Sequence, residues 1–304
     1  MKQFSLHELA CFDAVVTEGG FHAAADKLHR SHPSIFTAVK NLEENLGLSL
    51  FDRSNYRVVL TEEGKAFHAR ARSLLMNAGM LKAFADYLAG GEESDFRVAV
   101  GSLCPSALAA TLLKEFSSTV NVSNTRFHLY SEAVSGTLER LLDNEVDLTF
   151  GPVERRDPRF DSINLFKIDL IPVVAPNFLK FPITKDISVE DMRPYVQCVL
   201  RDSARKESSQ NYFLIDGASS WTVASQSMKK ELIVHGLTWG HMPRHLIEDE
   251  LTAGRLLSIE GSNFKSLSID IAAARLRDRP HGPIANRLWQ FLNSKFAIAE
   301  KLVP

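Results

Sequence analysis

Three apolar patterns with the spacing of a helix stand close together at the start of the chain. Apolar residues recur every three or four positions in residues 6–16, 21–28 and 35–46, which predicts three helices that each bury one face. Only residues 29–32 connect the second pattern to the third, and Pro33 follows where the first turn of a helix tolerates proline. Two short helices, a tight turn and a longer helix predict a helix-turn-helix unit.

The outward face of the third predicted helix carries hydroxyl, imidazole, aromatic and amine groups. Such groups hydrogen-bond base edges and phosphates in the major groove of DNA, and a phenylalanine offers an apolar contact to a thymine methyl group. A small helical bundle whose polar face is merely solvated would show the same pattern, so spacing alone leaves both interpretations open. The candidate DNA contacts on this helix are Ser31, His32, Ser34, Phe36, Thr37 and Lys40.

A hairpin is predicted directly after the third helix. Two β-prone runs in residues 48–61 flank a Ser-Asn pair, which is typical of a turn between two strands. A hairpin in this position is a wing, and Arg53 and Arg57 would flank its tip, where DNA phosphates pass. The alternative role for these two arginines is a surface ion pair with Asp52 or Glu62.

Five short motifs in this region occur in a fixed order: AAxxL (24–28), SxPS (31–34), LExxLG (42–47), LFxR (50–53) and LTxxG (60–64). On these motifs the chain resembles the LysR-type transcriptional regulators, and the resemblance continues more weakly over the rest of the sequence. It implies sequence-specific binding to double-stranded DNA.

Three DNA-facing positions depart from the family pattern. The family usually has Gln in place of His32, Ser in place of Phe36, and Arg or Lys near Thr37. The operator preference of other members therefore does not transfer. Residues 1–91 hold ten Lys and Arg against ten Asp and Glu, so we expect affinity to depend on a few placed cations and on dimerisation.

A heptad seam follows Gly64. Apolar residues alternate at steps of four and three through residue 88, the pattern of helices that pair along one face. The seam favours a dimer over a helix packed on its own domain, and the resemblance implies a dimerising linker helix, often within a tetramer. A dimer presents two recognition helices to two half-sites. The large seam residues predicted at the contact are Phe67, Leu74, Leu81 and Leu88.

From about residue 95, short β-rich runs alternate with helical stretches, which predicts an α/β region with a largely parallel sheet. The resemblance implies two Rossmann-like subdomains joined by crossing strands, as in periplasmic binding proteins, with a small effector in the cleft. The expected organisation is an all-α winged helix-turn-helix domain at 1–61, a dimerisation helix at 62–90, and an effector domain at 91–304, divided into 94–166 plus 273–304 and 167–272.

Ligands of open α/β sheets bind beyond the carboxyl ends of the strands. Several polar side chains follow predicted strands, and the backbone N–H groups near Ser102 suit an anion. Arg201 and Arg205 suit a carboxylate, but they can equally pair with Asp202 or Glu207. Each candidate can also be ordinary loop structure. The candidate effector contacts are Ser102, Cys104, Ser131, Gly151, Arg201, Ser203, Trp239 and His241.

The cysteines point to no disulfide or zinc framework, because Cys11, Cys104 and Cys198 are odd in number and widely spaced. Cys104 opens a predicted helix, where a thiol can have a lowered pKa. This leaves open a regulator that responds to oxidants or electrophiles, beside the plainer alternative of a small buried side chain.

Enzyme and metal motifs are missing from the sequence, which has no GxSxG, HExxH or phosphate-binding loop. Pro243 breaks the helix that His241 and His245 would need to bind a metal together, so we expect no metal and no cofactor. With 24% charged residues, a net charge of −2, and no signal peptide or apolar span, we expect a cytoplasmic protein that does not contact membranes. A cytoplasmic solute-binding module with an assembly domain is the second hypothesis.

The expected partners follow from these assignments. They are double-stranded DNA, a small-molecule effector for which an organic anion is one candidate, further copies of this chain in a dimer or tetramer, and RNA polymerase.

Overall fold

The computed structural model describes residues 4–52, 58–88, 95–120, 122, 124–154, 157–205 and 213–300. The chain forms two compact units, Met1–Gly90 and Gly91–Pro304. The boundary coincides with the predicted start of the effector domain at residue 91.

The first unit is helical with one small hairpin. The three helices predicted from the apolar spacing are present, and they are followed by the two short strands of the wing and a long helix. The elements are α1 Leu6–Thr17, α2 Phe21–Leu28, α3 His32–Leu46, β1 Phe51–Asp52, β2 Val59–Leu60 and α4 Glu62–Leu88.

Local sequence explains where these helices begin and end. Ser5 and Glu8 form a reciprocal capping box at the start of α1. His29 ends α2 in the left-handed conformation, with φ of 51°, and Gly47 ends α3 at φ of 67°, where glycine carries no steric cost. Ser31 is the extended N-cap residue of α3, and Pro33 lies in its first turn. The tight turn of the helix-turn-helix unit is therefore encoded residue by residue.

Two of the family motifs hold the wing against the helices. The buried carboxylate of Glu43 accepts hydrogen bonds from the N–H groups of Leu50, at 2.7 Å, and Phe51, at 3.3 Å. The Thr61 hydroxyl donates to the Ser49 carbonyl at 2.8 Å. A Cβ on Gly64 would lie 2.1 Å from the Leu50 carbonyl oxygen, so α4 can approach the wing only with glycine at this position.

Helix α4 does not use its heptad seam as one uniform contact. Phe67 packs into the core of its own unit, 6.0 Å from the Phe12 ring, and Ala71 is buried in the same core. Leu74 and Leu81 are 44% and 68% exposed. The prediction that Phe67 is a dimer contact is thus corrected, because that turn of the helix faces its own unit. The side chain of Leu88 lies outside the described residues.

The second unit is an α/β domain. Its elements are β3 Asp95–Gly101, α5 Ser106–Thr119, β4 Arg126–Glu132, α6 Gly136–Leu142, β5 Leu148–Gly151, β6 Phe160–Val174, α7 Val189–Met192, β7 Gln197–Leu200, β8 Ser220–Val223, α8 Gln226–Val234, β9 Gly240–Pro243, α9 Arg244–Thr252, β10 Leu257–Ser258, β11 Leu267–Leu276 and α10 Pro283–Glu300.

Two long strands run through this unit. The main sheet has the order β10-β6-β11-β5-β3-β4, with β9 also paired to β6, while β7 and β8 form a separate parallel pair. Strand β3 is parallel to β4 and β5, but β11 is antiparallel to both β5 and β6. The sheet is therefore mixed rather than largely parallel, because β6 and β11 cross between the two halves in opposite directions.

The crossing strands separate two hydrophobic centres. One half of the unit, which we call the β3–β5 half, buries Phe96, Phe116 and Phe150 against α5 and α10. The other, which we call the β7–β9 half, buries Trp239 and Met242 on opposite faces of β9. The ladder between β6 and β11 shifts register between Ile271 and Ala272. None of the described helices is long and apolar enough to cross a membrane.

Candidate functional site

Helix α3 separates its side chains into two faces. Ile35, Val39 and Leu42 are buried against α1 and α2. Phe36 is 45% exposed, and Thr37 and Lys40 are exposed beside it. An apolar ring, a hydroxyl and an amine thus share the uncovered side of the helix that follows the tight turn.

Aromatic rings fix the beginning of this helix. The His32 ring stacks on the His22 ring with centroids 4.2 Å apart and planes inclined by 27°. Phe21 contacts the rings of both His32, at 6.1 Å, and Phe36, at 5.6 Å. These contacts restrict the rotamers of His32 and Phe36, so less side-chain entropy is lost when either one contacts a partner. Sequence reasoning did not find His22, which lies on the preceding helix.

The remaining DNA-facing candidates differ in how free their side chains are to contact DNA. The Ser31 side chain makes no capping hydrogen bond within the described chain, and Ser34 is half-buried. Lys40 forms a 3.6 Å ion pair with Glu44 while both side chains stay more than half exposed. An exposed pair of this kind contributes little to stability, so a phosphate can replace its carboxylate. Arg53 and Arg57 lie outside the described residues.

In the second unit, polar groups gather at the carboxyl ends of β3 and β5. Ser102 follows β3, and Gly151 ends β5. The buried hydroxyls of Ser102 and Thr137 have no hydrogen-bond partner among the described residues. A Cβ on Gly151 would lie 3.4 Å from the Thr137 hydroxyl oxygen. Buried hydroxyl groups are normally bonded, so this edge suits a polar ligand.

A four-residue segment that follows β7, residues 202–205, crosses this edge; we call it the strap. The Ser203 hydroxyl donates to the Glu132 carboxylate at 2.5 Å and accepts from the Ala133 N–H at 2.9 Å. The Asp202 carboxylate accepts from the N–H of Ser135 at 3.1 Å and also from its hydroxyl. The expected effector contact of Ser203 is therefore corrected, because its hydroxyl is already engaged inside the protein.

Arginines stabilise the acidic groups beneath the strap. Arg205 pairs with Glu145 at 2.6 Å and Asp143 at 3.0 Å, rather than with Asp202. Its partial burial disfavours the charge, but the hydrogen bond and charges of these carboxylates outweigh that effect and raise the pKa of Arg205. Arg140 connects Glu145, at 2.7 Å, with Glu132.

Arg201 and Ser131 are exposed near the strap. The Arg201 N–H donates to the Val223 carbonyl at 2.7 Å, which anchors the backbone and leaves the guanidinium outside. Among the predicted cleft residues, Arg201, Ser131 and Ser203 are exposed, but the Ser203 hydroxyl is bonded inside the protein.

Trp239 is a core residue, contrary to prediction. It is 0% exposed, packs edge-on against Phe264 at 5.4 Å, and donates its indole N–H to the Tyr195 carbonyl at 3.3 Å. His241 is 8% exposed and stacks on Phe213 at 4.5 Å. Burial lowers the pKa of His241 to about 4, so its ring is neutral at pH 7. The Nδ1 atom of that ring has no partner among the described residues.

Cys104 is buried, and burial raises the pKa of its thiol to about 11. The lowered pKa proposed from its position near a helix N-terminus is therefore wrong, because loss of solvent outweighs the helix contribution. A protonated thiol is a poor nucleophile. This contradicts the alternative in which Cys104 senses oxidants or electrophiles. In the part of the chain that the structure describes, no group of three or more potential ligands could hold a metal.

Sequence reasoning missed several residues of this edge. The sequence predicts Asp202 only as a partner for arginine. Thr137 gave no signal at all. Each contacts residues that are distant in sequence, so the local sequence carries no signal for these contacts.

Comparison with known proteins agrees with this geometry. The model of bacterial regulatory helix-turn-helix proteins of the lysR family matches residues 6–65, and the LysR substrate binding domain matches residues 89–297. The probable HTH-type transcriptional regulator YhaJ of Escherichia coli (strain K12) is 28% identical over 279 residues, which cover 91% of this chain and 92% of that protein. The regulator BenM of Acinetobacter baylyi is 32% identical over 153 residues, about half of each chain.

Solved structures share the fold. A full-length OxyR variant from Pseudomonas aeruginosa superposes with a TM-score of 0.61 at 17% identity, with 96% of each chain covered. The regulator CbnR, in a complex with its target DNA, gives 0.60 at 20% identity, with 96% of this chain and 99% of that chain covered. From the two matched models, the chain belongs to the LysR family of DNA-binding transcription regulators, with a helix-turn-helix unit followed by an α/β effector-binding domain.

Proposed function

We propose that the exposed face of α3 reads base edges in the major groove. The observation that carries this proposal is the two-sided character of α3, which buries its aliphatic residues and leaves Phe36, Thr37 and Lys40 uncovered. Arg53 and Arg57 of the wing are proposed to contact phosphates, and CbnR supports the mode of binding because its solved structure holds target DNA. The contacts proposed on and before α3 are Ser31, His32, Ser34, Phe36, Thr37 and Lys40.

We further propose that Leu74 and Leu81 form the dimer contact of α4. Both are large apolar side chains left exposed on one helix, and burying such a stripe against a second copy removes apolar surface from water. The dimer would present two α3 helices to an interrupted inverted repeat. The proposed domain limits are 1–61, 62–90 and 91–304, with subdomains 94–166 plus 273–304 and 167–272.

The proposed effector is a small molecule bound at the edge formed by Ser102, Thr137 and Gly151. The buried hydroxyls of Ser102 and Thr137, which have no hydrogen-bond partner in the described part of the chain, support this position. Effector binding would shift the balance between conformations of the second unit and so change how the regulator acts on DNA, with RNA polymerase as the proposed downstream partner. A solute-binding role without DNA is not favoured, because the matched family consists of regulators.

Selection from random-sequence duplex DNA at fixed, near-physiological salt tests the DNA proposal. The enriched sequence should have two-fold symmetry. Thr37→Ala and Lys40→Ala should each weaken binding to it by about fivefold or more, since a lost contact costs about 1–3 kcal/mol and 1.4 kcal/mol is tenfold in affinity. Lys27→Ala, which removes an exposed lysine on α2, is the matched control. Unchanged affinity in both α3 variants would refute the assignment.

A further inference from the structure

The strap connects the two halves of the second unit through side-chain and backbone hydrogen bonds. It leaves β7 in one half, yet Asp202, Ser203 and Arg205 all bond to residues 132–145 of the other half. The Arg205 N–H adds a backbone donor, to Glu139 at 2.7 Å. The β7–β9 half is thus tied to β4 and α6 at a point away from the crossing strands.

The close approach of the strap depends on one glycine. A Cβ on Gly136 would lie 2.0 Å from the Ser203 hydroxyl oxygen and 2.7 Å from a Glu132 carboxylate oxygen. A side chain at this position would therefore displace the Ser203 hydroxyl from its contact with Glu132. The position of Ser203 against α6 therefore depends on the glycine at position 136.

The groups by which the strap contacts the β3–β5 half, a carboxylate and a hydroxyl, are ones that a small ligand could also supply. The Asp202 carboxylate accepts hydrogen bonds from the N–H and the hydroxyl of Ser135. The Ser203 hydroxyl accepts a hydrogen bond from the Ala133 N–H and donates one to the Glu132 carboxylate. A carboxylate beside a hydroxyl is the pattern of a hydroxy acid. Next to it, Thr137 is 1% exposed, and its hydroxyl has no hydrogen-bond partner among the residues that the structure describes.

We propose that the strap is an internal ligand, which holds the two halves together without an effector and is displaced by a small hydroxylated carboxylate. The proposal rests on the proposed effector site, because the strap covers the edge at which that site lies. Displacement would release Asp202 and Ser203 while the effector takes over their hydrogen bonds at Ser135 and Ala133. The buried Glu132 and Glu145 would keep Arg140 as a counter-ion.

Hydrogen exchange of the full chain tests whether the strap holds the two halves of the second unit together. In the double variant Asp202→Ala with Ser203→Ala, the backbone amides of Ala133 and Ser135 should exchange at least tenfold faster than in the wild type, because the side-chain acceptors of the strap are removed. The matched control is Asp216→Ala with Ser219→Ala, which changes exposed residues of the same half. Equal exchange in the wild type and the strap variant would overturn the proposal.

Chemical rescue tests the ligand-like role. In Asp202→Gly with Ser203→Gly, added glycolate should slow exchange of the Ala133 and Ser135 amides several-fold, relative to chloride at the same ionic strength. Acetate, which lacks the hydroxyl, should protect less. If glycolate protects neither amide, the internal-ligand proposal is refuted. Neither readout uses DNA, so failure here leaves the DNA assignment standing, and failure of DNA selection leaves the strap standing.

Discussion

Lys229 is a buried cation, and its removal should stabilise the second unit. It lies on α8 against Gly240, where a Cβ would be 3.1 Å from the lysine Cε. No carboxylate in the described chain pairs with its ammonium group. Burial lowers its pKa from 10.5 to about 8, although a Cys198 thiolate would partly oppose the shift. An unpaired buried charge disfavours the native state.

The linkage between protonation and folding gives the sign and the size of the stability change expected for Lys229→Met. The native pKa lies below the unfolded one, so protonation favours unfolding, and native stability falls as pH drops from about 10.5 through 8. Each pKa unit is worth about 1.4 kcal/mol, so the full loss at pH 7 is about 3 kcal/mol. Lys229→Met has a similar volume and no charge. At pH 7 it should raise the melting temperature by roughly 5–10 °C.

The assay is unfolding of wild type and Lys229→Met, followed by circular dichroism between pH 7 and 10. The advantage of the variant should shrink by about 2 to 3 kcal/mol across this range, as wild-type Lys229 becomes neutral. Other groups titrate in both proteins, so only the difference is interpreted. Lys180→Met, at an exposed lysine, should show no such trend. A difference in unfolding free energy between wild type and Lys229→Met that stayed constant from pH 7 to pH 10 would refute the reasoning.

Three further results are expected. Between pH 7 and 5 the wild type should lose about 2 kcal/mol more stability than His241→Asn, because protonation of a ring with a native pKa of about 4 favours the unfolded state; parallel pH profiles in urea unfolding would contradict this. Gly64→Ala should destabilise the first unit by 2 kcal/mol or more, because its Cβ meets a wing carbonyl at 2.1 Å, whereas Gly79→Ala, in open space on the same helix, should not; thermal unfolding distinguishes them. Leu81→Glu should weaken self-association in sedimentation, with Glu63→Lys as the exposed control, and an unchanged association constant would remove Leu81 from the dimer contact.

The sequence predicted the first unit well, because its determinants are local. The helix-turn-helix boundaries depend on Ser31, Pro33 and Gly47, whose conformational preferences act within a few residues. The motifs LExxLG and LTxxG were visible, but their roles were not. Glu43 and Gly64 act on the wing through contacts that only the folded chain brings together. Helical spacing also could not show that the seam of α4 packs into its own unit at Phe67 and Ala71 but is exposed at Leu74 and Leu81.

Prediction was weaker in the second unit, where long-range packing decides burial. Trp239 lies between Gly236 and Gly240 in a stretch that looks like a loop, yet it packs with Phe264 and the α7 residue Met192 as part of a core. Cys104 has the local position of a reactive thiol, but its surroundings exclude water. In both cases, neighbours distant in sequence reverse what the local pattern indicates.

The strap limits which effectors can act on this regulator. Shifting a two-state equilibrium from 99:1 to 1:99 requires a ligand to prefer one state by about 5.5 kcal/mol. Net hydrogen bonds contribute about 0.5–1.5 kcal/mol each, and more when a charge takes part, so the contacts of Asp202 and Ser203 stabilise the closed form by a comparable amount. A molecule that merely fills space beside the strap leaves Ser135 and Ala133 bonded to it and gains no preference for the open form. A molecule that supplies its own carboxylate and hydroxyl to those donors gains that preference, and this is why the effector should resemble the side chains that it replaces.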